Sequence, residues 1–285
     1  MIRSLARYLS LNARLSLKGE APVIVYSKER TGSVALYNSL VAARIPAIAT
    51  HYLDPAKVGE GKLSGSAQWA SKHVVQPRRR AKFITLVRNP IDNLLSTFAR
   101  NEFVDKPRSR GLSTETALDV SPEELVNRFH RQYLDGGEYR RELEWFDSEF
   151  RVALGIDVFA HPFDANLGSG RIADGPFEVL ILRTELEDGA KAAAVAHFLG
   201  LPQFAMSHGP ITVSGAPGLT GEHADYREHY RELKRRRIIP TRHWEAIAAS
   251  KVTRHFIADN ELARSRAEAE IVDESVNLGA ASYSH

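Results

Sequence analysis

The 285-residue chain reads as an α/β protein built on a central parallel sheet flanked by helices. Three short apolar runs carry that reading: "VIV" from Val23, "KFITLV" from Lys82 and "FEVLILR" from Phe177. Continuous apolar runs of this length suit strands buried on both faces. Segments of helical spacing separate them, and strands alternating with helices are the pattern of a parallel sheet covered on both sides. An apolar fraction of 43% suffices for the core this requires.

Taken in order, residues 2 to 17 place Ile2, Leu5, Ala6, Leu9 and Ala13 at helical spacing, with Arg3, Arg7 and Arg14 on other faces. This predicts a leading amphipathic helix packed on the domain, and residues 1–18 also suit a weak contact with a membrane surface. A strand at 23–26, a loop, a helix at 34–43 and a second strand in "IPAIAT" (45–50) follow. "KFITLV" (82–87) is a buried strand, and "RNPIDNLLSTFARN" is a helix with Pro90 in its first turn, where a missing N–H costs nothing. "SPEELVNRFHRQYL" opens with Ser121 as N-cap, Pro122 at the first helical position and Glu124 completing a capping box. "EYRRELEWFDSEFRVAL" reads as one helix ending at Gly155, "FEVLILR" (177–183) as a strand, and 188–199 as a helix closed by Gly200. "YREHYRELKRRR" and "PTRHWEAIAASKV" are helical. The expected organisation is a leading helix over 1–21, one domain over 22–263 and a tail over 264–285 to which no order is assigned.

The absence of cysteine removes disulfides and thiolate catalysis and suits a reducing cytosol. No apolar run approaches the roughly 18 residues of a membrane span, and the opening stretch lacks the apolar core and cleavage site of a signal peptide. The expectation is a soluble, cytoplasmic protein. A net charge of +3 is too mild to mark a nucleic-acid binder, and the basic runs "QPRRRAK" and "ELKRRRII" are not interleaved with aromatics for base stacking. No nucleic-acid partner is expected. These runs read as solvated helix ends or loops, or as a patch for an acidic acceptor.

The stretch "YSKERTGSVALYNSL" (26–40) runs from strand through loop to helix, the arrangement that aims free backbone N–H groups and a helix N-terminus at an anion. A nucleotide kinase would need G-x-x-x-x-G-K-[ST] here, and Gly32 is followed by Ser33 with no such lysine. Nor does "KFITLV" end in an acidic residue for magnesium; Arg88 follows it. The loop therefore suits an anion held by basic side chains, with no metal ligand set.

Arg30-Thr31-Gly32-Ser33 after a strand resembles the 5′-phosphosulfate loop of sulfotransferases that use 3′-phosphoadenosine 5′-phosphosulfate (PAPS). Arg88-Asn89-Pro90-x-Asp92, with Ser96 eight residues after Arg88, resembles their 3′-phosphate motif. Both stand in the right order at strand-to-helix junctions. "LEWFDSEFRVALGIDVFAHPFD" (143–164) is further similar to a sulfotransferase-like group of bacterial capsular polysaccharide synthesis proteins, and "YRELKRRRIIPTRHWEAIAASKVTRHF" resembles their ending more loosely.

The resemblance implies a P-loop-like three-layer α/β/α fold, PAPS as donor and a hydroxyl-bearing acceptor, a bacterial surface or capsular glycan. It assigns the donor to Arg30, Thr31, Gly32, Ser33, Val34, Arg88 and Ser96. Val34 stands where the family commonly has a second hydroxyl, and Lys28 is close enough to share or take the role of Arg30, where many members have Lys. On elementary grounds, Gly32 permits close backbone approach and Arg30 can neutralise charge on a leaving phosphate. Arg88 and Ser96 can supply guanidinium and hydroxyl donors to a phosphate, and the competing role for Arg88 is a salt bridge to Asp92. An inert anion-binding module on the same fold is the runner-up, and a P-loop kinase comes third.

Sulfuryl transfer to a hydroxyl needs a base, and histidine suits near-neutral pH. His51 in "ATHYLDP", after the second strand, is the first choice and matches an "H-x-x-L-D"-like setting of several carbohydrate sulfotransferases. His73 in "SKHVVQP" is the competitor, Glu29 the third candidate, and Glu142, Glu144 and Asp147 remain as acids elsewhere. "GSGRIA" (168–173) nominally fits G-x-G-x-x-A but reads as a turn, and Trp145, Phe146 and Phe150 at helical spacing read as core.

Overall fold

The structure, a computed structural model, describes residues 11–13, 15, 19, 21–59, 64–109, 120–207 and 224–273. In chain order the elements are β1 (Val23–Tyr26), α1 (Ser33–Ala42), β2 (Ala47–Thr50), α2 (Pro55–Gly59), α3 (Gly65–Ala70), β3 (Ala81–Val87), α4 (Pro90–Arg100), α5 (Pro122–Arg128), α6 (Glu138–Leu143) and α7 (Arg151–Leu154). There follow β4 (Ser169–Asp174), β5 (Phe177–Arg183), α8 (Asp188–Leu199), α9 (Ala224–Arg236), β6 (Ile238–Pro240), α10 (Thr241–Ala249), α11 (Lys251–Phe256), α12 (Asp259–Ala267) and β7 (Glu270–Val272). Contacts group the chain into two compact units, Met1–Arg88 with Glu144–Gly218, and Asn89–Leu143 with Leu219–His285.

The first unit carries a five-stranded sheet in the order β2-β1-β3-β5-β4. β2, β1, β3 and β5 are mutually parallel, and β4 pairs antiparallel with β5 as an edge strand. Alternation along the strands divides the apolar side chains between the two faces. Val23, Val25, Ile84, Leu86, Leu180 and Leu182 pack against Leu36, Tyr37 and Leu40 of α1 and Val195 and Phe198 of α8. On the other face Tyr26 stacks on Phe150 at 5.2 Å and meets Trp145 edge-on at 5.1 Å, while Phe83 meets Phe177 at 5.3 Å. The aromatic trio Trp145, Phe146 and Phe150 is thus buried core under the sheet.

Three expectations need correction. "GSGRIA" is not a turn but strand β4: the turn comes after it, at Asp174-Gly175-Pro176, where Gly175 takes φ 57° and reverses the chain into β5. A Cβ at Gly170 would come within 2.8 Å of the Phe163 ring, so the small residue in this strand serves packing. The stretch from Glu138 to Leu154 is not one helix. α6 ends at Leu143, and a π-helical turn over Phe146–Phe150 and α7 follow, closed by Gly155 at φ 77°. The boundary between the two units falls at this interruption. "PTRHWEAIAASKV" is likewise not one helix: Pro240 ends β6, and extended Ser250 separates α10 from α11 and caps the latter. Elsewhere Ser121 caps the Glu124 N–H and Pro90 opens α4 as expected.

The second unit is mostly helical. Leu94, Leu95, Phe98, Phe103, Phe129, Tyr133, Leu233 and Trp244 are among its core, and a two-stranded parallel pair, β6–β7, closes one side. Arg237, buried at φ 42°, bridges Asp92 at the start of α4 to Glu268. Most of the expected leading helix and residues 274–285 lie outside the described residues; Leu11 and Leu15 are described and buried. Among the described residues no helix is long and apolar enough to cross a membrane.

Ile84 lies on the central strand with no exposed surface, so Ile84→Ala should cost about 2–5 kcal/mol in urea unfolding. Val34→Ala, at a side chain 49% exposed, should stay within about 0.5 kcal/mol. Equal effects at the two positions would contradict the described core.

Candidate functional site

In an open parallel sheet the strand order reverses at one point, and ligands bind beyond the carboxyl ends of the strands there. Here the reversal lies between β1 and β3, because β2 is on one side of β1 and β3 on the other. The loop after β1 (Ser27–Gly32) and Arg88 after β3 therefore share this crevice. Nothing in their residue types alone required that they meet; the strand order does it.

The β1 loop is held rigidly. The Ser27 hydroxyl accepts the Leu86 N–H at 3.1 Å and lies 3.0 Å from the Leu86 carbonyl. It is also 2.7 Å from the Thr31 hydroxyl, which donates to the Lys28 carbonyl at 2.8 Å. Thr31 is buried, and its carbonyl accepts the Thr184 hydroxyl from the loop after β5 at 2.8 Å. Its side chain thus works inside the loop. Arg30 takes φ 63° and Gly32 φ 84°. For Arg30 this left-handed backbone costs on the order of 1–3 kcal/mol, strain of the kind held at binding sites. A Cβ on Gly32 would meet only the Thr184 methyl group at 3.8 Å, an ordinary contact, so the dihedral and not space calls for glycine there.

α1 opens directly from this loop. Gly32 offers no side-chain cap, and the first intrahelical bond is made by the Ala35 N–H, which leaves the Ser33 and Val34 N–H groups at the exposed helix end. The first turn of α1 holds no acidic residue, as is also true of α2, α3, α7, α10 and α11. Helix starts attract negative charge. Ser33 is buried at the first helical position, and Val34 turns its side chain to solvent, so Val34 can offer a ligand only its backbone.

Arg88 reaches back to this loop and donates through Nη1 to the Arg30 carbonyl at 3.1 Å. Asp92, its expected salt-bridge alternative, is engaged by Arg237 and Lys234. Ser96 is buried in α4 of the second unit. Lys28 and Glu29 are half-buried in the β1 loop.

His51 follows β2 at the same carboxyl edge and is half-buried. Its Nδ1 stands 2.6 Å from the Ser27 carbonyl. A carbonyl can only accept, so Nδ1 carries the proton, and in the neutral ring Nε2 holds the lone pair. The Trp145 indole donates to the His51 carbonyl at 3.2 Å and fixes its backbone. His73 is elsewhere. The chain descends from β2 along α3 and its π-helical continuation Ser71–Val75 to the start of β3, so His73 lies toward the amino edge, with its ring 5.4 Å from Trp69. Burial, then the charges of Lys72 and Arg79, lower its proton affinity. Glu142 belongs to the second unit, Glu144 is exposed, and Asp147 is half-buried.

Glu149 escaped the sequence reading. It is 1% exposed, and Oε1 accepts the Tyr26 hydroxyl at 2.9 Å and the Leu53 and Asp54 N–H groups at 2.6 and 2.9 Å, while Oε2 takes the Lys57 ammonium. This carboxylate grips the turn that carries His51. Burial first, and Glu149 second, raise Tyr26 well above its ordinary range and keep it a donor. A signal existed: Glu149 stands four residues after Trp145 and three after Phe146, a charge on an apolar helical stripe.

No protein-family model matches the chain, and no curated protein or solved structure matches it significantly.

Removing the buried carboxylate leaves two backbone N–H groups, a phenol and an ammonium without their acceptor. Glu149→Ala should therefore cost about 3–5 kcal/mol, with Glu149→Gln milder because the amide oxygen still accepts. Chemical denaturation checks this, and an alanine variant as stable as the parent would remove the anchoring role.

Proposed function

We propose that the protein is a PAPS-dependent sulfotransferase acting on a hydroxyl of a bacterial surface or capsular glycan, on the P-loop-like version of the three-layer fold. The observation that carries this reading is the convergence at one sheet edge of the Arg30–Val34 loop, the Arg88 guanidinium on the Arg30 carbonyl, and His51 with Nδ1 committed to Ser27. Support comes also from the uncapped, acid-free start of α1.

The donor supplies an activated sulfuryl group and a phosphate as leaving group. In this chain, Arg30, the Ser33 hydroxyl and the N–H groups of Ser33 and Val34 would hold the 5′-phosphosulfate. The same donors meet the negative charge that gathers on the departing phosphate oxygen, where preorganised dipoles act most strongly. His51 Nε2 takes the acceptor's hydroxyl proton. The acceptor O–S bond forms as the bridging S–O bond of the donor breaks, and a sulfate ester and adenosine 3′,5′-bisphosphate leave. Arg88 is assigned to the 3′-phosphate.

Thermal melting with adenosine 3′,5′-bisphosphate should show stabilisation that is unchanged by magnesium, and sulfate transfer from labelled donor to the host's surface glycans should be measurable. ATP binding that requires magnesium would favour a kinase, and nucleotide binding without turnover an inert module.

Arg88→Ala should weaken donor binding by about 2–4 kcal/mol, the loss of a charge-assisted contact to a phosphate left unpaired; unchanged affinity in calorimetry would remove Arg88 from the donor site. His51→Ala should leave donor affinity intact and lower kcat by roughly 10² to 10⁴. A folded His51→Ala protein with near-normal turnover would take the base elsewhere.

A further inference from the structure

The two basic runs meet opposite fates. In "ELKRRRII" every cation is consumed internally: Lys234 pairs with Asp92, Arg235 with Glu232, Arg236 with Glu232 and Glu123, and Arg237 with Asp92 and Glu268. In "QPRRRAK" residues 76–80 are all exposed, and Arg79 and Arg80 have no carboxylate partner among the described residues. Arg78 lies over the Phe177 ring and points toward the Leu154 carbonyl, and Lys82 donates to the Phe198 carbonyl at 2.6 Å.

Topology gathers more charge beside them. The 76–80 loop leads into β3, so it lies at the amino edge of the sheet, where the Ala81 N–H meets the Pro176 carbonyl. Arg44 lies at the same edge, in the turn between α1 and β2 beside the start of β1, as the Val23-to-Pro46 bond shows. Lys72 lies in the π-helical segment Ser71–Val75 that leads into the loop. Arg44 and Lys72 are also exposed and without a carboxylate partner among the described residues. Of the acids nearby, Glu178 pairs with Arg171 and Asp157 with Arg151, which leaves Asp174 as the opposing charge. The positive field is felt locally, since Lys72 and Arg79 both disfavour protonation of His73.

We propose that this amino edge, through Arg44, Lys72, Arg79 and Arg80, docks the protein on an anionic lipid bilayer. A bilayer is favoured over the other polyanions for two reasons. Among the described residues no exposed aromatic side chain stands with these cations to stack a base, since Trp69 and Phe177 are buried. The chain also enters β1 at this edge from a stretch whose sequence holds Arg3, Arg7, Arg14 and Lys18 among apolar residues, with no carboxylate before Glu20. Of that stretch the described Leu11 and Leu15 are buried, and Asn12 accepts the Trp69 indole N–H at 2.7 Å. A cluster of four to eight cations suits a surface of acidic headgroups. Docking by this edge leaves the carboxyl edge, with the candidate site, facing away from the lipid.

The test is flotation of the full chain with vesicles of pure phosphatidylcholine and of phosphatidylcholine mixed with phosphatidylserine, at low and high salt. Binding is expected only to the anionic vesicles and should fade with salt. The exposed double variant Arg79→Glu/Arg80→Glu, with its melting temperature checked against the parent, should lose about fivefold in partitioning for each charge removed, and more on reversal. Equal binding to neutral vesicles overturns the proposal. So does a double variant that binds like the parent while Arg3→Gln/Arg7→Gln/Arg14→Gln does not, since the leading stretch would then act alone. Preference for single-stranded RNA over the anionic vesicles overturns it as well. None of these readouts depends on sulfuryl transfer.

Discussion

The geometry of the carboxyl edge hangs on Ser27, the residue immediately after β1. Backbone pairing of β1 with β3 is registered at Val25 and Ile84, and the Ser27 hydroxyl then takes over by engaging both backbone groups of Leu86. Its carbonyl orients the His51 ring, and its hydroxyl also touches Thr31. One small residue thus joins the ends of three neighbouring strands where the strand order reverses, its hydroxyl toward β3 and its backbone toward β2. A hydroxyl is suited to this because it both donates and accepts within a single short reach, and because buried backbone groups left unpaired at the end of a strand would be costly.

Around that anchor the charges are arranged with different aims. Glu149 is fully desolvated and satisfied by three neutral donors and one ammonium, so its charge holds a turn and is not offered to a ligand. Arg237 does comparable work in the second unit, between Asp92 and Glu268. The start of α1 is the contrary case. It has no side-chain cap, the preceding Arg30 accepts a strained backbone, and no carboxylate shares the first turn. Strain and uncompensated partial charge persist only where surrounding structure enforces them, and here the Ser27, Thr31 and Thr184 hydroxyls do so.

His51 illustrates how a residue's chemistry is set by what lies behind it. Trp145 fixes its carbonyl, Glu149 fixes the two amides that follow at Leu53 and Asp54, and Ser27 claims one ring nitrogen. The imidazole is therefore committed in tautomer and in direction. Trp145 and Glu149 lie about a hundred positions away in the chain and come from the opposite face of the sheet to α1.

The sequence by itself determined the α/β class with a mostly parallel sheet, strands at 23–26, 45–50, 82–87 and 177–183 that lie within two residues of the observed ones, and the strand-to-helix loop at 27–32, because burial on both faces and capping preferences are written in local residue order. β4 was hidden because its outward residues are polar and its glycines imitate a turn. The break at Leu143 was hidden because the 3.6-residue apolar rhythm continues through it. Only the tertiary structure decided that His51 and not His73 shares the edge with Arg30, since both follow the same strand and direction of travel separates them. Likewise, it decided that one basic run is paired and the other open, and that Glu149 is an anchor. Those outcomes depend on partners distant in sequence, and no local pattern of residues encodes the strand order that brings them together.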